Sequence, residues 1–189
     1  MNISPTEAEQ ALQAIQTMMR KTKKAISNSG AYNFLIVWGV IWLFGFLSNH
    51  FFDTKTAGYI WMVLDILGGV ISAILGFRLS RKVRSPSGLA SGKRIAWFWL
   101  ILFIFCFSLI VVVSPIDGKQ MAMSIILFVM LGWIAMSLLL SAASVWWGLA
   151  ITALSLIGYF ILPNIFYLWM AVLGGGGMIS LGIYIRNKW

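Results

Sequence analysis

The stretch YIWMVLDILGGVISAILGFR, residues 59–78, reads as a membrane-spanning helix. A span needs about 20 mostly apolar residues to cross a hydrocarbon core of about 30 Å. Here Asp65 is the one charge ahead of the closing Arg78. Five more stretches fit the same template, so the expected spans are roughly 31–49, 59–79, 95–113, 121–141, 144–162 and 165–185. All six are expected to be helices, because a helix satisfies its own backbone hydrogen bonds in lipid. The composition agrees: 60% of the 189 residues are hydrophobic and 10% are charged, leaving no room for a separate soluble domain.

The charges set an orientation. Twelve of the fourteen Lys and Arg fall before the first span, between the second and third, or after the sixth; only Lys55 and Lys119 fall on the other side. The positive-inside rule then puts both termini in the cytoplasm and Asp53 and Asp117 outside. The net charge of +9 follows from this topology and from attraction to anionic lipid headgroups, and a nucleic-acid partner is not expected. No cleavable signal is apparent, and the first span is expected to act as an uncleaved insertion signal.

Short connections, SAAS at 141–144 and PNI at 163–165, with the turn SPIDGK at 114–119, imply three sequential antiparallel hairpins. Only the 80–94 connection, with RKVRSPSGLASGKR at 81–94, reads as a long polar cytoplasmic loop. The expected fold class is an all-α polytopic membrane protein. Residues 1–30 form a cytoplasmic amphipathic helix and turn, and residues 31–189 the six-helix domain.

The opening stretch has a second copy. Set against YLWMAVLGGGGMISLGIYIR, residues 167–186, it matches without a gap at Tyr59/Tyr167, Trp61/Trp169, Met62/Met170, Gly68/Gly176, Gly69/Gly177, Ile71/Ile179, Ser72/Ser180 and Arg78/Arg186. A weaker pair, Trp38-Gly39 and Trp147-Gly148, precedes each copy. Both copies run from outside to inside, so the repeat is parallel. Small residues three and four apart share a helix face and let backbones approach in lipid. The expected packing residues are Gly68, Gly69, Ser72 and Gly76, together with Gly174, Gly175, Gly176, Gly177 and Ser180. The run of four glycines also reads as a point of flexibility, since each is a poor helix former.

Six spans in three hairpins, with the GGVIS and GGMIS segments, resemble the HdeD-like family of bacterial inner-membrane proteins over residues 31–189. The resemblance implies a stress-associated membrane protein and carries over no functional residue. The helix at 1–28 departs from it.

Asp65 is the column where the two copies part, since Leu173 stands there in the second. It lies roughly 9 Å below Tyr59, at 1.5 Å per residue. A charged aspartate at mid-membrane costs about 2.5–3.5 kcal/mol, and no lysine or arginine lies within a span at its depth to offset it. The neutral acid donates one hydrogen bond. Candidate partners are Ser108, Thr152, Ser155, an indole N–H, or His50 from above. Asp65 and His50 are therefore the candidate intramembrane functional residues. The bland reading is a protonated packing bond; the sharper one is a proton or cation path.

Residues 4–26 show Ser4 and Glu7 as a capping box and Pro5 at the first helical position. A narrow apolar seam follows through Ala8, Leu12, Ile15, Met19, Thr22 and Ile26. Leu12, Ile15 and Met19 with Arg20, Lys21, Lys23 and Lys24 suit the inner membrane surface, a cytoplasmic protein partner or a second copy of the chain, or docking under the bundle.

An enzyme is not expected. There is no paired carboxylate, HExxH or phosphate loop, the single Cys106 and single His50 make no metal set, and no cofactor is expected. Two function classes remain. One is a non-enzymatic membrane interaction or sensing module that docks through 1–28 and the 80–94 loop. The other is a small transporter, or subunit of one, for an apolar or amphipathic substrate, with Asp65 as its coupling group.

Overall fold

The computed structural model describes residues 9, 10, 12–15, 17, 30, 32–82, 86–140 and 145–188. Among them every regular element is helical. The helices are α1 (Tyr32–Phe51), α2 (Thr54–Lys82), α3 (Pro86–Val113), α4 (Gly118–Leu140), α5 (Val145–Ile161), α6 (Phe166–Met170), a π-helical segment (Ala171–Gly176) and α7 (Gly177–Lys188). The last three run on as one helical rod. Among the described residues five stretches are long and apolar enough to cross a membrane: Tyr32–Phe51, Thr54–Leu79, Gly92–Val113, Gly118–Leu138 and Phe166–Lys188. The helix Val145–Ile161 is apolar but has 17 residues, about 26 Å of helix.

The expected helix at 4–26 falls mostly outside the described residues. Those described are helical and exposed, Leu12 and Ile15 among them. Met19, Arg20, Lys21, Lys23, Lys24 and the SAAS turn also lie outside the described residues. Gly30 takes a left-handed φ of 79° just before α1, and its carbonyl accepts the Asn33 N–H at 3.0 Å. That conformation carries little strain without a Cβ.

The 80–94 connection differs from the expected loop. Helix α2 runs through Lys82, and α3 begins at Pro86, well ahead of its apolar run. Proline is tolerated in the first turn, where its missing N–H has no intrahelical partner to lose. Both helices therefore extend beyond their apolar stretches on the basic side.

Helix α1 sits between two neighbours, with α2 on one side and the π segment and α7 on the other. Helix α4 packs on α5 and, less extensively, on α3. Among the described residues α2 and α3 make no extended contact. The core forms where α1, α4 and the last rod converge, from Ile41, Trp42, Phe46, Met123, Ile126, Met130, Phe166, Met170 and Ala171. Edge-on aromatic contacts run through it: Trp42 to Phe46 at 5.6 Å, Phe46 to Trp61 at 5.2 Å, and Tyr159 to Phe166 at 5.8 Å between centroids. Such contacts favour one packing beyond simple burial.

Glycine decides how closely α1 and the last rod approach. A Cβ on Gly39 would lie 2.9 Å from the Gly175 carbonyl oxygen and 2.9 Å from the Ile179 nitrogen. A Cβ on Gly175 would lie 2.7 Å from the Leu43 Cα and 2.8 Å from the Gly39 oxygen. At Gly182 it would meet Ile36 at 2.6 Å. These neighbours are largely backbone and cannot rotate away. We expect Gly175→Val to destabilise the bundle by at least the 1–3 kcal/mol typical of overpacking. Gly176→Ala, where a Cβ meets nothing within 4 Å, should be neutral or mildly stabilising. Denaturation in mixed micelles measures both. Equal stability of the two variants would refute the backbone crossing.

Candidate functional site

Helix α2 turns one face to α1. Gly68 is buried where a Cβ would strike the Ile41 side chain, and the Trp61 ring covers Gly45. Leu64 packs against the core, and Ser72 accepts the Trp38 Nε1–H at 3.1 Å. Asp65 lies three residues before Gly68, about 60° around the helix from that face. It is exposed, with Met62 and Ile66 exposed beside it, and Gly69 one turn on has nothing within 4 Å of a Cβ. An exposed residue on a transmembrane helix faces lipid or another protein.

The expected partners of Asp65 are held elsewhere. Ser108 donates to the Ile104 carbonyl, Thr152 to Gly148 and Ser155 to Ile151, each on its own helix four residues back. Ser124 and Ser137 do the same. A mid-helix hydroxyl takes this local acceptor readily because its own turn presents it. The Trp169 Nε1–H donates to the Leu154 carbonyl at 2.9 Å. His50 ends α1, exposed and edge-on to Phe51 at 5.0 Å. No hydrogen bond or ion pair joins His50, or any other described residue, to Asp65.

The expected packing residues divide. Gly68, Gly174 and Gly175 are buried; Gly174 lies against Trp42 and Gly175 against the Leu43 backbone. At Gly69, Gly76, Gly176 and Gly177 a Cβ would meet nothing within 4 Å, and Ser180 is exposed. The π segment falls on the glycine run, where the Gly177 N–H points back to the Gly174, Leu173 and Val172 carbonyls. The Val172 acceptor is the wide π spacing, which allows consecutive glycines to face the same neighbour. Further receiving glycines, besides Gly182, escaped the expected packing set. Gly45 accepts Trp61, Gly158 accepts the Trp169 ring on α5, and Gly132 faces Leu102 and Trp99 of α3.

The turns opposite the basic loop are also built by residues the sequence reading left unassigned. Asp53 caps α2: its carboxylate accepts the Thr56 N–H at 3.0 Å, the Thr56 hydroxyl at 2.7 Å and the Lys55 N–H at 3.1 Å. Asp117 caps α4 by accepting the Gln120 N–H at 2.7 Å. Both follow an Asp-x-Lys pattern, DTK at 53–55 and DGK at 117–119, which was the available signal. The Lys119 ammonium donates to the Pro163 carbonyl at 2.8 Å, tying the α3–α4 turn to the α5–α6 turn. On the basic side Trp97, Trp146 and Trp147 are exposed, as residues of an interfacial aromatic belt are. Among the described residues no group of three or more His, Cys, Asp or Glu could hold a metal ion.

The Thr56 hydrogen bonds hold the Asp53 carboxyl below its ordinary 3.8. A depressed folded-state value means stability that is present above the unfolded value and lost as pH falls through the folded one. We expect the melting temperature of the parent protein to exceed that of Asp53→Asn at about pH 5, with the gap closing toward about pH 3. A gap that stays constant over this range would show that the cap does not depend on the charge.

No protein-family model, no curated protein and no solved structure matches this chain.

Proposed function

We propose that this is a non-enzymatic membrane interaction protein of the bacterial inner membrane, with six spans and both termini in the cytoplasm. The observation that carries this reading is Asp65, exposed on α2 with no partner among the described residues. A carboxyl facing hydrocarbon is unfavourable by a few kcal/mol, so a polypeptide that supplies a donor at that depth gains the difference. The partner is a transmembrane helix carrying a Lys, Arg or other donor one to two turns below the outer interface. Gly69, with open space beside it, lets that helix approach α2 closely.

The centre of the bundle supports the same reading. Its buried cluster is aromatic, aliphatic and methionine, and the buried polar side chains among the described residues are serines. A carrier path through Asp65 would need the acid to line the interior, and it is exposed at the border between the packed face of α2 and its open one. Cytoplasmic docking adds to this surface: Leu12 and Ile15 lie exposed, 56% and 55%, in the stretch expected to bind partner or headgroups.

Photo-crosslinking residues at Met62 and Ile66 in native membranes test the reading, with Phe105 on α3 as an equally exposed control. We expect a discrete adduct from α2, kept in Asp65→Asn and reduced about tenfold in Asp65→Leu, the loss of one intramembrane hydrogen bond of 1–2 kcal/mol. An adduct at twice the chain mass would make the partner a second copy. Adducts absent from α2, or indifferent to Asp65→Leu in a folded bundle, would end the proposal.

A further inference from the structure

We propose that a groove between α3 and α5, floored by α4, binds one acyl chain of a glycerophospholipid. The groove holds about 380 Å³ and lies at the end of the bundle that carries the Asp117 turn. Its walls are Leu109 and Val113 of α3 and Leu156 and Phe160 of α5, and its floor is Met123 and Leu127. Helix α4 packs on both neighbours, whereas α3 and α5 make no extended contact with each other, so the cleft stays open to the side.

Its polarity runs one way. The deep part is apolar, and the Gln120 amide and Tyr159 hydroxyl line the same groove. The Gln120 Oε1 accepts the Asp117 N–H at 3.4 Å, and the Ser124 hydroxyl donates to the Gln120 carbonyl at 2.9 Å. That leaves the Gln120 Nε2 donors and the Tyr159 hydroxyl without a partner among the described residues. An ester carbonyl above an acyl chain presents an acceptor to such donors, with its hydrocarbon pointing into the membrane. The size also suits, since ligand clefts run from about 300 to 1,000 Å³.

A larger hollow of about 680 Å³ runs along α3 from Leu100 to Val112 and shows the contrast. It is lined by one helix face, and the hydroxyl of Ser108, its one polar side chain, is already bonded to Ile104. It offers a chain a surface but no polar end to fix it. The proposed site needs the helices in a bilayer and is independent of any role for Asp65.

The test is photolabelling in phosphatidylcholine vesicles doped with phosphatidylcholine that carries a diazirine on one acyl chain, with adducts mapped by peptide mass spectrometry. Exposure alone favours α2, because Val63 and Val70, on the side of that helix away from Asp65, are 54% and 53% exposed against 37% for both Leu127 and Leu156. A bound chain reverses that order, giving several-fold more adduct at Leu127 and Leu156. Filling the groove by Leu156→Trp, or separately by Leu127→Trp, should abolish the excess at the other leucine and leave α2 labelling unchanged. Gln120→Leu should lower the excess a few-fold. Adducts that follow exposure, or an excess that survives both tryptophan variants, would overturn the site; the parent protein alone decides the first point.

Discussion

The fold depends on one contact, the crossing of α1 over the last rod at Gly39 and Gly175. Each glycine lies where the other's backbone leaves no room for a Cβ. In water such a crossing would be one contribution among many, beneath a large hydrophobic term. In lipid, apolar side chains gain little by leaving the solvent, so close packing must hold the helices together. Once α1 and the last rod are joined, the other positions follow. Trp42 on α1 and Met170 on the rod converge with Met123 and Ile126 of α4, and Trp61 reaches α1 over Gly45. Helices α2 and α3 are left at the margins, and almost all of their length faces outward.

The same solvent explains how polar groups are handled. Five of the hydroxyls within the apolar helices donate to a carbonyl four residues back. Two indoles reach across helices, Trp38 to Ser72 and Trp169 to Leu154. Among the polar groups left without a partner, two contrast. The Trp133 Nε1–H is buried with no partner among the described residues, and Asp65 is exposed with none. The first lies inside the bundle. The second lies where another molecule can reach it.

Much of the architecture was legible in the sequence because hydropathy and length are sufficient signals in lipid. Spans 1, 2, 3, 4 and 6 were located to within a few residues of helices that can cross a membrane. The 80–94 connection was misread, because polar residues outside the hydrocarbon remain compatible with helix and Pro86 marks a start as readily as a loop. The glycine pattern showed which residues are small but not which way they face. Gly68 and Gly175 bear the packing, and Gly69 and Gly176 beside them bear none. Sequence spacing assumes a uniform helix, and the π segment breaks that assumption at the glycine run. The direction of Asp65 was hidden for a related reason: it stands about 60° from Gly68, on the border between the packed face and the open one.

The two matched stretches, 59–78 and 167–186, clarify what that border means. Trp61 and Trp169 do the same work, each laying its ring over a glycine of the preceding helix, Gly45 and Gly158. Beyond the tryptophan they diverge. On α2 the next small residue, Gly68, keeps to the face of Trp61 and meets the same neighbour, α1. On the last rod the chain has two neighbours to satisfy. Trp169 faces α5, and Gly174 and Gly175 turn to α1 through the wide π spacing. The rod keeps exposed positions such as Val172, but Leu173, at the column that matches Asp65, is half-buried. Helix α2 has one such neighbour and keeps an open flank. Asp65 therefore stands on the helix that keeps open space beside it, at Gly69, while the matching column of the rod is taken by a half-buried leucine.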